Sequence, residues 1–419
     1  MTNYRWVALL LGCLTWGGPA VATPLETTQS DSCLQINDLR EAVVYASIYG
    51  PSTRASLQHV RASIAGEILA GSLPDPRVSF GVAPLSISAD DISFGVTAQA
   101  SQELPWPRVL TLQRRAAEAD TGVIRASAAE VNASAALEAA TQFDALYLAE
   151  QGLVSLEEER QHLTQLHETA LAMVAGGSTS TSDLLQVEGA IAAIALRELY
   201  WQTHKERAHL RLVALIGEDI DLTIRSHEPC LPGLEMTGQQ VQHPSIIGAI
   251  ALVEATSNRV KLANMSAIPT PILTGGLTSM KMDWEHAVTI GIGMNIPLPS
   301  SVTTRREGAE SNHLAATLDL QWQTERLAAE LEAARLETER TLAEAHVIES
   351  SIIPLARQFT ELIRHRVATG EALMWEAIQA EQSLTTARMQ LNESASRAWS
   401  AHSQFQWASG HYAYPVSER

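Results

Sequence analysis

The residues best suited to chemistry are spread through the chain without the spacings that chemistry requires. The thirteen histidines include His162 and His167 on one predicted helix and His346 and His365 on another, and these intervals do not converge on a metal ion. The nine methionines form no MxxM array, and the patterns HExxH, CxxC, GxSxG and GxxxxGK do not occur. We therefore expect no enzymatic activity, no cofactor and no metal site.

Composition narrows the class of protein. The chain of 419 residues is 46% hydrophobic and only 18% charged, which permits a large ordered structure. Its formal net charge of −18 excludes nucleic acid as an expected partner, because phosphate backbones are bound by clustered Lys and Arg.

The N-terminal sequence predicts export. An apolar stretch after Arg5 ends at Ala20-Val21-Ala22, so we expect residues 1–22 to be a cleaved signal peptide. The alternative is lipidation of Cys13, because Leu10-Leu11-Gly12-Cys13 has the form of a lipobox. An oxidising compartment permits a disulfide between Cys33 and Cys230, and two unrelated thiols are the alternative.

Beyond the signal peptide no run reaches the ~18 apolar residues of a transmembrane helix. The exported chain is therefore expected either in the periplasm or in a membrane as β-strands.

Five landmarks recur after 192 or 193 residues, and this common register predicts a tandem duplication. The domains predicted from it are a first repeat (23–217), a linker (218–242), a second repeat (243–410) and a C-terminal tail (411–419). The landmark pairs are Gly50-Pro51 and His243-Pro244, Leu104–Pro107 and Ile296–Pro299, Val174–Gly177 and Val367–Gly370, Gln186–Glu188 and Gln379–Glu381, and Gly217 and Gly410.

Each half predicts the same order of elements: a helix, a β-hairpin, a very long helix and a second long helix. Prolines stand at the junction of each hairpin with its long helix, at Pro105 and Pro107 and at Pro297 and Pro299. The predicted ranges are 36–71, 76–104, 107–173 and 181–216 in the first half, and 244–266, 270–297, 300–367 and 372–409 in the second.

The second run of each hairpin alternates small or polar with apolar residues over about ten positions, which is the period of a transmembrane strand. A half-buried sheet in a soluble domain is the alternative. If the strands span a membrane, the polar face lines a lumen. The predicted lumen residues are Ser93, Gly95, Thr97, Gln99, Thr289, Gly291, Gly293 and Asn295.

Four strands cannot close a barrel, since single-chain barrels begin at eight strands and lipid leaves open edges unpaired. Membrane insertion therefore predicts an obligate oligomer. The long helices also need neighbours, because ~65 residues make a rod of about 100 Å whose narrow Ala/Leu stripe suits coiled-coil packing.

Signal peptide, duplicated halves, hairpins followed by paired long helices and the Leu-Pro-x-Pro junction together resemble the TolC-like outer membrane efflux protein family. The stretch "SQELPWP" is similar to the junction in the heavy-metal efflux branch, although Arg108 stands where that branch has glycine. The element "RVATGEALMWEAIQAEQSL" is similar to the family's periplasmic tip and following helix. The resemblance covers about residues 35–411.

The resemblance implies a mixed α/β membrane protein that assembles as a homotrimer. Three chains form a 12-stranded β-barrel in the outer membrane, and their long coiled-coil helices form an α-barrel across the periplasm. The implied partners are outer-membrane lipid, a periplasmic adaptor (membrane fusion protein) and an inner-membrane pump of the resistance-nodulation-division type. The implied tip and adaptor-contact residues are Gly176, Gly177, Asp183, Arg366, Thr369, Gly370 and Glu371.

The implied function is that of a passive exit duct for metal cations or drugs in a tripartite efflux system. The outer-membrane component of type I protein secretion and a soluble periplasmic coiled-coil adaptor are the alternatives. We also expect Arg364, Arg366, Asp183 and Glu371 to supply inter-helix ion pairs at the tip.

Overall fold

A computed structural model describes residues 36–88, 91–217, 243–280 and 285–412. The predicted signal peptide, the linker 218–242 and the two candidate disulfide cysteines, Cys33 and Cys230, lie outside these residues, as does Cys13. Within these four ranges no helix is both long enough and apolar enough to cross a membrane.

The described residues form long helices and one small antiparallel sheet. The order of elements from α2 to α4 recurs from α5 to α8, where a π-helical turn, Ile348–Ile352, separates α6 from α7. The elements are α1 (Ile36–Tyr49), α2 (Pro51–Ala70), β1 (Arg77–Ser88), β2 (Asp91–Glu103), α3 (Pro107–Ala175), α4 (Thr181–Ile216), α5 (Pro244–Met265), β3 (Thr270–Met280), β4 (Glu285–Asn295), α6 (Pro299–Val347), α7 (Ile353–Ala368) and α8 (Met374–Ala408).

Proline opens four of these helices. Pro51, Pro107, Pro244 and Pro299 are the first residues of α2, α3, α5 and α6, where the missing N–H has no helical partner to lose. The single helix predicted over 36–71 is wrong for the same reason. Pro51 cannot continue the hydrogen-bond ladder of α1, so the chain breaks at Gly50 and starts again as α2.

Another proline explains the interruption of the second long helix. The residues predicted as one helix over 300–367 are all helical, but the helix is not α-helical throughout. Pro354 has no N–H to donate and its ring crowds the preceding turn. The chain accommodates it by widening into the π-helical turn directly before α7.

Four glycines with positive φ occupy matching places in the two halves. Gly177 (φ 71°) and Gly370 (φ 76°) lie in the turns between paired long helices, and Gly217 (φ 83°) and Gly410 (φ 85°) follow the ends of α4 and α8. This left-handed conformation strains any residue with a Cβ. The matching positions accord with the predicted duplication.

Small side chains let the helices approach closely. α3 packs against α1, α2, α4, α5 and α8, and α6 packs against α5 and α8. One buried cluster joins α1, α3 and α4, and alanine supplies five of its nine members. They are Ala42, Val43, Ala46, Ala136, Ala139, Ala140, Phe143, Leu212 and Ile216.

One glycine on α3 tests this close packing. A Cβ at Gly152 would lie 2.7 Å from the indole ring of Trp201 on α4, whereas one at Gly189 would meet nothing within 4 Å. We predict that Gly152→Ala lowers the free energy of unfolding by about 1–3 kcal/mol. Gly189→Ala should raise it by up to about 1 kcal/mol, through helix propensity alone. Thermal unfolding followed by circular dichroism measures both, and equal shifts would contradict the packing.

Candidate functional site

The four strands form one antiparallel sheet in the order β1-β2-β3-β4, so β1 and β4 are its edges. The pairing of β2 with β3 joins the two halves of the chain. The hairpin turns at 89–90 and 281–284 lie outside the described residues.

The strand register brings the predicted lumen residues of both halves to one face. Ser79 pairs with Gln99, Gln99 with Gly276, and Gly276 with Thr289, which makes one row across the sheet. Thr97 and Gly95 on β2, and Gly291, Gly293 and Asn295 on β4, follow with the same two-residue period. Ser93 pairs with Ser86, beyond a register shift in β1. Most residues of this face are small or polar, and Ile272, which pairs with Gly293, is an apolar exception.

The opposite face is apolar and exposed in the single chain. One row across it consists of Phe80, Ala98, Leu277 and Val288. The exposed fraction of Phe80 is 80%. A half-buried sheet of a soluble domain would cover this face, but no described element does. Other large residues exposed on it are Val78, Val82, Val96, Leu273, Ile290, Ile292 and Met294.

The junction of sheet and helices is held by contacts between the halves. The Leu104 N–H donates to the Pro271 carbonyl (2.9 Å), and the Trp106 indole Nε1–H donates to the Pro269 carbonyl (2.9 Å). Pro107 then opens α3, and Pro299 opens α6. The predicted junction prolines Pro105 and Pro297 each stand two residues before these helix starts, where fixed φ angles stiffen the connection.

The first tip turn follows α3. Gly176 ends that helix, and Ser180 caps α4 by accepting a hydrogen bond from the Asp183 N–H. The Asp183 carboxylate accepts from the Thr179 hydroxyl (2.7 Å) and from the Ser180 N–H (3.2 Å). Hydrogen bonds from Thr179 and Ser180 lower the pKa of Asp183.

The second tip turn is held by backbone contacts. The Glu371 N–H donates to the Arg366 carbonyl (2.8 Å), and the Arg366 guanidinium donates to the Glu371 carbonyl (3.3 Å). Thr369 ends α7, before Gly370.

Of the four residues expected to supply inter-helix ion pairs, Arg364 on α7 does so within the described residues, with a carboxylate on α8. Asp183 and Arg366 make capping and turn contacts instead.

The partner of Arg364 is Glu381, a buried carboxylate that sequence reasoning missed. Glu381 on α8 is 3% exposed and accepts from Arg364 Nε (2.5 Å) on α7. His162 Nδ1 on α3 lies 3.1 Å from its other oxygen. Three helices therefore meet at one carboxylate near the tip.

The first half has a glutamate at the matching position, with a histidine of its own nearby. Glu188 is the residue matched to Glu381 in the repeat, and its carboxylate lies 3.3 Å from His167 Nε2, also on α3. Half of the Glu188 side chain is exposed, so the first-half pair is solvated. No group of three His, Cys, Asp or Glu side chains in the described ranges could hold a metal ion.

The fold is that of outer-membrane channels of known structure, which confirms the resemblance predicted from the sequence. The transmembrane channel CusC has a TM-score of 0.77 at 15% identity, over 94% of this chain and 98% of its own. For the outer membrane protein VceC of Vibrio cholerae the values are 0.74 and 16%, over 89% and 96%. For the MtrE outer membrane channel of Neisseria gonorrhoeae in its open state they are 0.74 and 15%, over 94% and 97%.

No family model and no curated protein matches the sequence. At 15–16% identity, the similarity to these structures shows the fold alone.

The two histidine–glutamate contacts give a matched test at the tip. We predict that Glu381→Ala lowers the free energy of unfolding by about 1–3 kcal/mol, because it leaves the Arg364 guanidinium without its partner. Glu188→Ala should change it by less than about 0.5 kcal/mol, because that pair is exposed. Hydrogen exchange in α7 and α8 should rise in the first variant alone. Equal behaviour of the two variants would mean that Glu381 does not hold these helices.

Proposed function

We propose that this protein is the outer-membrane exit duct of a tripartite efflux system, built from three copies of the chain. The observation that carries the proposal is the open sheet, with an exposed apolar face on one side and a small, polar face on the other. In this reading the apolar face contacts outer-membrane lipid, the polar face lines the lumen, and the helices extend through the periplasm.

The number of copies follows from closing the sheet. In lipid the unpaired N–H and C=O groups along the edges of β1 and β4 would each cost several kcal/mol, so β4 of one copy pairs with β1 of the next. Two copies would give eight strands, and side chains fill the interior of an eight-stranded barrel. Three copies give twelve strands and leave an open path.

The helices support the same assembly. Exposed leucines run along α4, which packs on α3, and along α6 and α7, which pack on α8. We assign them to the seams between copies, where coiled-coil packing would bury them. They are Leu185, Leu196, Leu199 and Leu210 on α4, and Leu318, Leu336, Leu355 and Leu362 on α6 and α7.

The tip turns would meet the other components. Gly176, Gly177 and Asp183 in one turn, and Arg366 to Glu371 in the other, are the proposed contacts with a periplasmic adaptor. An inner-membrane pump of the resistance-nodulation-division type is the proposed source of energy. Metal cations or drugs are the proposed cargo, and the net charge of −18 favours cations.

Deletion of the gene tests the function. We expect the deletion strain to become sensitive to at least one compound among divalent metals, cationic dyes and antibiotics, and a plasmid copy should restore resistance. Unchanged susceptibility to every compound would count against efflux, and loss of a secreted protein would instead indicate type I secretion.

Two neighbouring residues on β4 test the assignment of the faces. Ile290 is 79% exposed on the apolar face, and Thr289 lies on the polar face. We predict that Ile290→Lys destabilises the inserted protein by about 2–4 kcal/mol, because a lysine then faces lipid. Thr289→Lys should insert normally, because its ammonium faces water. The measurement is the fraction of each variant recovered in outer membranes, and the reverse ranking would exchange the two faces.

A further inference from the structure

A pair of exposed arginines lies just below the sheet. Arg108 and Arg115 are seven residues apart on α3, so they stand on the same side of the helix about 10 Å apart along its axis. Neither guanidinium has a hydrogen-bond or ion-pair partner in the part of the chain that the structure describes.

The groove beside the junction shows which side these arginines occupy. It has a volume of about 600 Å³ and is lined by Trp106, Val109 and Gln113 of α3 together with Thr270. The register pairs Thr270 with Asn295, on the polar face of the sheet. At 3.6 residues per turn, Arg108 and Arg115 lie about 140° around α3 from the groove residues. They point away from the groove, and we assign this side of α3 to the apolar sheet face.

The positive charge at the start of α3 favours an anionic ligand. The first nine residues of α3, "PRVLTLQRR", contain three arginines and no acid, in a chain whose net charge is −18. The stem of the third, Arg114, lies against Gly71 of α2. Guanidinium groups bind phosphate oxygens in paired hydrogen bonds, and the unpaired arginines leave those donors free for an anion.

We infer that Arg108 and Arg115 bind the phosphates of anionic phospholipid headgroups in the leaflet that borders the periplasm. The inference rests on the proposed function, which places the apolar face in the membrane. Since the two arginines continue directly from that face, the occupant is a lipid headgroup and not free phosphate. The contact would set the depth at which the sheet sits in the bilayer.

The test compares the protein in nanodiscs of phosphatidylethanolamine with and without phosphatidylglycerol. We expect phosphatidylglycerol to raise the unfolding temperature of the full chain, and the double variant Arg108→Gln/Arg115→Gln to lose more than half of this rise. The control is Arg54→Gln/Arg61→Gln. These arginines of α2 are also exposed, unpaired and seven residues apart, but Arg54 lies in the first turn of that helix and Arg61 at its middle, whereas the sheet follows its last residue. The control should keep the rise.

Each other outcome overturns a defined claim. If both double variants lost the same part of the rise in unfolding temperature, the effect would be due to net charge alone. If Arg108→Gln/Arg115→Gln kept the full rise, these arginines would not be the binding site. The same rise from inorganic phosphate in discs without phosphatidylglycerol would point to a free anion. Failure of the wild-type chain to enter nanodiscs at all would overturn the proposed function itself, whereas insertion without a lipid preference would overturn only this inference.

Discussion

Every backbone N–H and C=O of a sheet in lipid must find a partner within the protein, because hydrocarbon offers none. The described residues supply four antiparallel strands, with two unpaired edges and one exposed apolar face. In water such a sheet would aggregate through its edges and its apolar face. Closing the ladder with further copies and covering the face with lipid satisfy both demands together. The proposed oligomer follows from this one requirement.

The junctions between the sheet and the helices connect two kinds of backbone over a short distance. A β-strand and an α-helix need different backbone geometry, and the chain changes from one to the other within a few residues. Pro107 and Pro299 permit the change because a first helical turn has no use for their missing N–H. The Trp106 indole ties the first-half junction to the second. In the helical part of the chain, alanine-rich surfaces allow α3 to pack closely against its neighbours.

Features that depend on short stretches of sequence were predicted correctly. Period-two alternation identified both faces of the sheet, and the repeat register located the four positive-φ glycines without any contact information. Two interruptions by proline were not predicted. Pro51 splits a predicted helix into α1 and α2. Pro354 is accommodated by a π-helical turn, whose form depends on neighbouring packing. Glu381 was missed as a site because its burial depends on helices far apart in sequence, since His162 lies 219 residues away. Its repeat partner Glu188 stays exposed and contacts a different histidine of α3, His167. The repeat therefore predicts the position of the glutamate, but neither its partner nor its burial.

The central claim is that several chains close one sheet, and the mass of the assembled protein tests it most directly. Native mass spectrometry of protein extracted from outer membranes in mild detergent counts the chains without assuming a substrate or a pump. The account predicts a particle of three mature chains, which corresponds to twelve strands. A monomer that is stable in the membrane, with four strands and open edges, would contradict it.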